Sequence, residues 1–293
     1  MSKYEGKTVV VSGGAEGIGF SVAQAMGQQG MNVVIGDIDV TQLAIAEQAL
    51  SDAGIPVLAM PMDVTDPAQW QMVAQKSLAR FGKIHMLVNN AGVASAPGPI
   101  EATNHEDWNW VIDVNLKGVI NGAHAIIPHI KSHGEGGWMI NVASMAGMIG
   151  VPYAGAYTAT KVAVVGMSES WNFELAKHNI QVSVLCPAFV KTRIHLSARN
   201  RQEHHKGERI AAEGDALTAK NAAQELVENG IDVELIGPRV VEAINAGEMY
   251  IFTHPAQRQT IQERFKAIDA AFERAENSPI LEGITDLDTA IFS

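Results

Sequence analysis

The chain carries the glycine-rich run Ser12-Gly13-Gly14-Ala15-Glu16-Gly17-Ile18-Gly19 close to its N-terminus. The short β-branched run before it, residues 7–11, predicts a strand, and apolar residues recur at helical spacing over residues 20–26. This order predicts a βα unit whose turn lets the backbone approach a phosphate, since a helix N-terminus offers free N–H groups and the positive end of a dipole. A glycine-rich turn without a ligand is the alternative, because glycine spacing alone is a weak signal.

Further short apolar runs follow, with helical segments between them. The predicted strands are residues 7–11, 32–37, 57–62, 85–90, 138–142, 181–186 and 248–252. Strands that are apolar throughout are typical of parallel sheets covered by helices on both faces. The pattern therefore predicts an α/β fold with a single doubly wound parallel sheet of about seven strands.

One connection is much longer than the others. More than forty residues separate Thr192 from Gly237, whereas loops have a median of about 4–6 residues, so we expect local helices and a substrate lid over residues 193–236. Residues 255–274 look helical, and residues 277–293 look like an irregular tail. We expect a catalytic domain at residues 1–253, with residues 254–293 as a C-terminal extension of the same domain.

Composition excludes several classes of protein. The net charge of −11 argues against a nucleic-acid or membrane-surface binder, because both of those partners are anionic. The single cysteine, Cys186, excludes an intramolecular disulfide and fits a reducing compartment. No apolar signal segment precedes the first predicted strand, and no stretch approaches the roughly 20 apolar residues of a membrane span. We expect a cytoplasmic protein.

A second motif lies far downstream, where Tyr157 and Lys161 are four residues apart and share one face of a helix. A free phenol titrates near pH ~10, too high for a general base at neutral pH. Lowering its pKa by ~3 units takes ~4 kcal/mol, and a cation ~4 Å away at an effective dielectric of ~20 supplies about that much before desolvation opposes it. The pair predicts a proton-transfer site, although an isolated pair of this kind is better interpreted as a helix surface.

Together with motifs between and after them, these residues resemble the classical short-chain dehydrogenase/reductase family over residues 7–252. The additional motifs are Asp63-Val64, Asn89-Asn90-Ala91-Gly92, Asn115, Ser144 and residues 187–192. Two positions depart from the family pattern: Ser12 stands where Thr is more common, and Ala188 where Gly is usual. The resemblance implies a Rossmann-type domain, a nicotinamide dinucleotide, a small-molecule substrate with a CH–OH group, and a homo-oligomer, either a tetramer or a dimer.

Two acids favour NAD as the cofactor. Asp37 closes the second predicted strand, where a carboxylate accepts hydrogen bonds from ribose hydroxyls and repels a 2′-phosphate; a simple loop acid is the alternative. Glu16 adds negative charge where NADP-preferring relatives often carry Lys or Arg. The resemblance implies the remaining cofactor contacts, which are Gly13, Gly17, Ile18, Gly19, Asp63, Val64, Asn90, Ala91, Gly92, Tyr157, Lys161, Val190 and Thr192.

The resemblance also implies the catalytic roles. Tyr157 takes the hydroxyl proton, Ser144 positions the substrate oxygen, and Lys161 holds the ribose and lowers the pKa of the phenol. Asn115, which has poor propensity in the middle of a helix, joins Lys161 and water in a proton relay. We therefore expect an NAD-dependent alcohol dehydrogenase. The alternatives are an NADH-dependent ketone reductase and a catalytically silent dinucleotide sensor.

The segment 145–153 joins two catalytic positions, carries no charge and contains two adaptable methionines. It predicts a pocket for a bulky apolar group, including an aromatic one, on a secondary alcohol that is oxidised to its ketone. The expected pocket residues are Met145, Met148, Tyr153 and His195.

Basic residues outnumber acidic ones in the first part of the lid. They are Arg193, Arg199, Arg201, Lys206 and Arg209, against Glu203 and Glu208. These cations either grip an anionic group of the substrate, or face solvent and pair with the acidic body, and the second interpretation is favoured. We expect no metal site at His204-His205, because adjacent histidines should point apart and lack a third ligand.

Overall fold

A single parallel sheet organises the computed structural model, which describes residues 2–94, 97–206 and 212–282. Its strands are β1 (Thr8–Ser12), β2 (Asn32–Asp37), β3 (Val57–Pro61), β4 (Met86–Asn89), β5 (Gly137–Val142), β6 (Ile180–Cys186) and β7 (Tyr250–Phe252). They lie in the order β3-β2-β1-β4-β5-β6-β7, and each neighbouring pair is parallel. The predicted doubly wound sheet is confirmed.

The strand order reverses between β1 and β4, which are sheet neighbours although two strands separate them in sequence. In such sheets the carboxyl ends of the strands at this switch point open into the ligand-binding crevice. The glycine-rich run follows β1 directly, and Asn90 follows β4. The topology therefore brings two of the sequence motifs to the same crevice.

Helices connect the strands. They are α1 (Gly17–Gln28), α2 (Val40–Asp52), α3 (Pro67–Phe81), α4 (His105–Ile112), α5 (Gly118–His133), α6 (Gly155–Ala176), α7 (Gly214–Glu228) and α8 (Ile236–Ala246). A π-helical turn, Asp113–Lys117, joins α4 to α5, and a short 3₁₀ helix, Met145–Gly147, precedes α6. The expected local helices within residues 193–236 are α7 and the 3₁₀ helices Ile194–Asn200, Glu203–His205 and Val233–Leu235.

The core lies on both faces of the sheet, as the alternation of side chains along β1 requires. Val9 and Val11 pack in one cluster with Met26 of α1. Val10, between them, packs in the other cluster with Trp70 of α3 and Ile126 of α5. All six side chains are fully buried, so a packed core supports the crevice residues from both faces of the sheet.

The chain divides into two compact units, Met1–Thr253 and His254–Ser293. The described part of the second unit contains the 3₁₀ helix Pro255–Gln257 and α9 (Arg258–Glu276), where a helix was predicted. The expected tail lies largely outside the described residues, because residues 283–293 are not among them. None of the helices formed by the described residues is long and apolar enough to cross a membrane.

Candidate active site

The glycine turn after β1 has a backbone that other chain segments and a ligand can approach closely. Gly13 has a φ of +62°, and a Cβ there would lie 2.8 Å from the Cα of Ala91; a Cβ on Gly19 would collide with the carbonyl of Gly13. Glu16, the N-cap residue of α1, forms no side-chain capping bond, so the first N–H groups of this helix remain open to an acceptor. The turn and the helix end together fit a dinucleotide phosphate.

Asn90 fastens the glycine turn to β4. Its Nδ2 donates to the carbonyls of Gly13 at 2.8 Å and Ser12 at 3.0 Å. The Ser12 hydroxyl accepts in return from the backbone N–H groups of Asn90 and Ala91, at 3.0 and 3.2 Å. Serine therefore supplies the acceptor at this position, and the expected cofactor segment Asn90–Ala91 braces the crevice.

Asp37 ends β2 beside the glycine turn and is 9% exposed. One carboxylate oxygen accepts from the Ala15 N–H at 3.1 Å, and the other accepts from the Asp39 N–H at 3.0 Å. Burial raises the pKa of Asp37, and the two backbone hydrogen bonds oppose that shift. A carboxylate offers about four acceptor sites, so capacity remains for two ribose hydroxyls.

Asp63 follows β3, and both of its carboxylate oxygens already accept hydrogen bonds from other residues of the chain. One of its oxygens accepts from both the N–H and the hydroxyl of Thr65, and Gln202 Nε2 donates to both oxygens at 3.0 and 2.9 Å. Val64 is buried and lies against Gly118. Gln202 lies 139 residues further along the chain, in no recognisable motif, so its local sequence does not predict this contact.

Ser144 and Tyr157 are brought together at the carboxyl end of β5. Burial raises the pKa of the Tyr157 phenol, and a hydrogen bond with Ser144 lowers it. The Ser144 hydroxyl also accepts from the Ala146 N–H at 3.1 Å and donates to the Pro187 carbonyl at 3.4 Å. Held in this way, the serine can present its oxygen to a substrate oxygen that lies beside the phenol.

Lys161 lies on the same face of α6 as Tyr157, and its Nζ is 5.5 Å from the centre of the phenol ring. This ammonium donates to the Val142 carbonyl at 2.8 Å, and burial lowers the pKa of Lys161 to about 8. A Cβ on Gly92 would lie 3.5 Å from Lys161 Nζ and 3.4 Å from Asn115 Oδ1. Lys161 and Asn115 therefore meet across a glycine whose missing side chain leaves room between them.

Asn115 lies in the π-helical turn rather than in the regular helix that the sequence suggests. Its Oδ1 accepts from the Val93 N–H at 2.8 Å, and its Nδ2 donates to the Val93 carbonyl at 2.9 Å. Asn115 is 1% exposed. The paired amide bonds hold this side chain against the segment after β4, and a π turn is a rare irregularity that frequently marks functional sites.

Thr192 and Val190 occupy the start of the long connection. A Cβ on Gly17 would lie 3.4 Å from Thr192 Cγ2, so this threonine borders the glycine turn. Val190 is buried and forms a parallel bridge with Ile231. Thr192 therefore borders the expected cofactor site, and the cofactor contact of Val190 stays a prediction.

A cavity of about 340 Å³ lies between the segment after β4 and the segment before α6. Its walls include Pro99, Ile100, Trp108, Val151 and Tyr153, together with the polar residues Glu101 and Thr103. Tyr153, one of the expected pocket residues, has a φ of +59° and accepts a hydrogen bond from the Gly98 N–H at 3.0 Å. Non-glycine residues rarely take that conformation, which is associated with functional sites.

The other expected pocket residues do not line this cavity among the described residues. Met145 is buried within its 3₁₀ helix, and Met148 is half-buried. His195 lies with its Nε2 3.9 Å from a carboxylate oxygen of Glu228 in α7, and its buried Nδ1 has no hydrogen-bond partner among the described residues.

In the first part of the lid, the described arginine and lysine side chains are paired with acids. Arg193 and Arg199 both bind Glu16, Arg201 binds Asp107, and Lys206 binds Glu203 at 2.5 Å. These contacts agree with the favoured interpretation, in which the cations pair with acids rather than a substrate anion; Arg209 and Glu208 lie outside the described residues. The charge of Glu16, which was expected to add negative charge at the cofactor site, is thus offset by two guanidinium groups.

The rings of His204 and His205 do not point apart as expected. Their centres are 4.2 Å apart, because the chain turns through the 3₁₀ helix Glu203–His205. His205 Nε2 lies 3.5 Å from an oxygen of Asp113, and Asp63 also interacts electrostatically with His205. Among the described residues, the single group with metal-ligand spacing is His85, His133 and Glu135, at the opposite edge of the sheet.

A family model described as short chain dehydrogenase matches residues 7–203. The chain is 31% identical over 296 residues to a CLA biosynthesis dehydrogenase/reductase of Lactiplantibacillus plantarum, with 97% of this chain and 100% of the relative covered. It is 42% identical over 188 residues to a 3-alpha-(or 20-beta)-hydroxysteroid dehydrogenase of Mycobacterium bovis, with 64% of this chain and 70% of the relative covered.

A solved structure is similar over nearly the whole chain. It is a short-chain dehydrogenase/reductase from Burkholderia phymatum in complex with NAD, which aligns with a TM-score of 0.88 and 34% sequence identity. The alignment covers 92% of this chain and 97% of that chain. The crevice described above is therefore built on a fold that holds NAD in a similar protein.

Proposed function

The chain belongs to the short-chain dehydrogenase/reductase family of oxidoreductases, and on this premise we propose that it interconverts a bulky apolar secondary alcohol and its ketone with NAD. The observation that carries the proposal is the convergence of Ser144, Tyr157, Lys161 and Asn115 at the carboxyl ends of β4 and β5. A catalytically silent dinucleotide sensor would have no need of this complete set of proton-handling groups.

The residues of the crevice fit the dinucleotide. The uncapped end of α1 and the glycine turn would hold the phosphates, Asp37 the adenosine ribose, and Lys161 the nicotinamide ribose. Bound there, NAD supplies the acceptor for the hydride that an alcohol releases. Because Glu16 is paired with two arginines, the proposed preference for NAD over NADP rests chiefly on Asp37.

The cofactor preference is tested by comparing kcat/KM for NAD⁺ and NADP⁺ under the same conditions. We expect a clear preference for NAD⁺, which Asp37→Ala should narrow because that variant removes the repulsion of a 2′-phosphate. Equal or better efficiency of the unaltered protein with NADP⁺ would overturn the assignment.

Tyr157 is the group that moves the proton. In alcohol oxidation the phenolate accepts the hydroxyl proton while Ser144 holds the substrate oxygen, and the Lys161 ammonium stabilises the phenolate. Lys161 and Asn115, aligned beside Gly92, then offer a path for that proton through water. Tyr157→Phe removes the proton acceptor alone, so it should abolish turnover while NADH still binds.

Ketone reduction is the second candidate. Burial raises the pKa of Tyr157 in the cofactor-free protein, so the phenol is protonated at neutral pH and ready to donate to a ketone oxygen. Comparing kcat/KM for a ketone with NADH and for the matching alcohol with NAD⁺ at neutral pH decides between them: a larger value for the ketone would favour reduction, and a larger value for the alcohol would favour oxidation.

The mainly apolar walls of the cavity, which also include Glu101 and Thr103, support the proposed substrate class. Pro99, Ile100, Trp108, Val151 and Tyr153 offer aliphatic and aromatic surface, and a cavity of about 340 Å³ accepts more than a short alkyl chain. Efficiencies measured from 2-propanol to aryl-alkyl carbinols should rise with apolar size. A flat or falling series, or activity confined to small polyols, would contradict this assignment.

Assembly is part of the proposal. Val162 and Phe173, eleven residues apart on one face of α6, are 47% and 73% exposed. Large apolar side chains that share a helix face and remain exposed are typical of a protein interface. We expect a homo-oligomer, either a tetramer or a dimer, and a monomer in sedimentation at micromolar concentration would contradict this expectation.

A further inference from the structure

The first part of the long connection, residues 193–202, reaches several elements of the dinucleotide crevice. We propose that this segment, here termed the strap, clamps the cofactor rather than the substrate, and that Glu16 is the lock that controls cofactor release. The proposal rests on the proposed function, because it assumes that NAD occupies the crevice.

The first anchor of the strap is an ion-pair triad. Arg193 Nε donates to Glu16 Oε2 at 2.6 Å, and Arg199 donates to the other oxygen of the same carboxylate. Arg199 also donates to the Arg193 carbonyl at 3.1 Å, so the two arginines are held as one unit. Because Glu16 immediately precedes α1, this anchor lies at the helix end that would face the cofactor phosphates.

The second anchor is at the end of β4. The hydroxyl of Ser197, which is 8% exposed, accepts from the N–H of Ala94 at 3.2 Å. Ala94 follows the segment Asn90–Gly92 that borders the glycine turn. The middle of the strap is therefore fixed to the segment that follows β4, the strand on the other side of the switch point.

The third anchor is at the end of β3. Gln202 donates to both oxygens of Asp63 and accepts from Trp110 Nε1 at 3.0 Å. Beside it, the buried ion pair of Arg201 and Asp107 lies with the guanidinium carbon 4.9 Å from the Trp110 ring centre. The strap thus spans the ends of β1, β4 and β3, which are the strands expected to hold the dinucleotide.

The anchors differ in how easily they open. The Arg201 and Asp107 side chains are 9% and 11% exposed, whereas those of Glu16, Arg199 and Arg193 are 29%, 28% and 43% exposed. Breaking a buried charge pair is costly, whereas partly exposed pairs are weaker and are screened by salt. The triad is therefore the anchor that opens first, and the buried pair acts as the pivot of the strap.

The test is Glu16→Gln, which keeps the shape of the side chain and removes its charge. Stopped-flow fluorescence should show NADH leaving this variant about 10-fold faster than the unaltered protein, the size expected for two coupled ion pairs. Salt should accelerate release from the unaltered protein and have little effect on the variant. In the cofactor-free variant, hydrogen exchange of the strap amides should also become faster.

Glu203→Gln is the matched control, because Glu203 pairs with Lys206 and not with the glycine turn. It should leave NADH release and strap exchange unchanged. The charge-swapped triple variant Glu16→Arg with Arg193→Glu and Arg199→Glu should restore slow release, which a merely structural role of Glu16 would not predict.

The outcomes separate the two proposals. If the unaltered protein binds NADH but Glu16→Gln releases it at the same rate and exchanges its strap amides no faster, the lock is refuted and the proposed function stands. If the unaltered protein does not bind NADH, the proposed function fails, and the clamp fails with it.

Discussion

The parallel strands all begin at one edge of the sheet, here termed the amino edge, and all end at the opposite one, the carboxyl edge. Both edges carry clusters of ionisable and amide side chains, but these side chains complete their hydrogen bonds differently. At the amino edge, His85 Nδ1 accepts from the Thr8 N–H at 3.1 Å and its Nε2 binds Glu135 at 3.2 Å. His133 Nε2 donates to the Ile84 carbonyl at 2.8 Å, and its Nδ1 accepts from the Glu135 N–H at 3.2 Å. Every ring nitrogen of this group therefore has a partner from the chain itself.

This pattern argues against a metal at the amino edge, although the three side chains have the spacing for one. A metal bound to His85 Nε2 would require a proton on Nδ1, which would then face the N–H of Thr8. The carboxylate of Glu135 is also bound by Lys83. The cluster is thus a closed structural network.

At the carboxyl edge the corresponding groups retain unused hydrogen-bonding capacity. Asp37 retains acceptor sites, the end of α1 has no side-chain cap, and Lys161 is buried with one carbonyl partner at 2.8 Å. Irregular backbone accompanies them, in the π turn at Asn115 and the positive φ of Tyr153. The comparison of the two clusters teaches that unused hydrogen-bonding capacity of their ionisable groups, rather than residue type, distinguishes the reactive edge from the structural one. Positive φ does not, because Asn179, at the amino edge, has a φ of +54°.

The largest expected difference between the edges is in kcat, and it is measured by replacing one tyrosine at each edge with phenylalanine. Tyr157→Phe should lower kcat by about 10³-fold or more, since general acid–base catalysis contributes roughly 10²–10⁴-fold. Tyr4→Phe, at the amino edge, removes a hydrogen bond to Asn245 of 2.9 Å and should leave kcat unchanged. Steady-state kinetics of both proteins checks this, and similar losses in the two variants would break the contrast.

Substitution of Lys161 should show that a buried ammonium group with unused hydrogen-bonding capacity lowers the free energy of unfolding. Its pKa falls from 10.5 to about 8 on burial, so the unfolded chain binds more protons between these pH values and stability rises with pH across them. Lys161→Met should inactivate the protein yet stabilise its cofactor-free form by about 3 kcal/mol at pH 7. The gain should vanish as the pH rises from 8 to about 10.5.

Urea unfolding at several pH values measures this effect. Lys83→Met is the control from the amino edge, because Lys83 is half exposed and pairs with Glu135. A Lys161→Met protein that is no more stable than its parent at pH 7 would contradict the cost assigned to the buried ammonium.

Substitution of His85 should have the opposite effect to Lys161→Met: a loss of stability with little change in activity. His85→Leu leaves the buried N–H of Thr8 without an acceptor, which should cost about 1–3 kcal/mol of unfolding free energy. Because His85 lies at the amino edge, kcat/KM should change less than about 2-fold, within the range of small surface effects. A large loss of activity in the folded variant would show that the two edges are coupled.

The smallest expected effect is at Glu135. Hydrogen bonds from Lys83 and then His85 lower its pKa from 4.5 to about 2. This group therefore stabilises the fold fully above pH 4.5, and that contribution is lost as the pH falls from 4.5 to 2. Glu135→Gln should flatten the pH dependence of the melting temperature in this range, and added Zn²⁺ should not raise the melting temperature of either protein.

The sheet could be predicted from the sequence because its signals are local. Each short apolar run became a strand with ends within two residues of the prediction, and β2 ends at Asp37 as expected. Tyr157 and Lys161 are also separated by a local spacing. Features that depend on neighbouring residues in the chain are accessible to sequence reasoning.

The features that were missed depend on distant partners. Glu16 meets Arg193 across 177 residues, and many other acids were equally available to that arginine. The π turn is accompanied by the amide bonds of Asn115 to Val93, which no helical period encodes. Tyr153 has a φ of +59°, where glycine or asparagine would be the expected residue.

The π turn has one further consequence, which concerns chain length. Each residue of an α-helix advances the direction of the side chains by about 100°. A π turn uses one more residue than an α turn for nearly the same rotation, so deleting one residue from Asp113–Lys117 would restore a regular helix with little change in the direction of α4 relative to α5, while moving the Asn115 side chain away from Val93. Homologous chains can therefore carry substitutions along this helix. A one-residue gap inside it in an alignment would indicate a protein that lacks the π turn and the proton relay through Asn115.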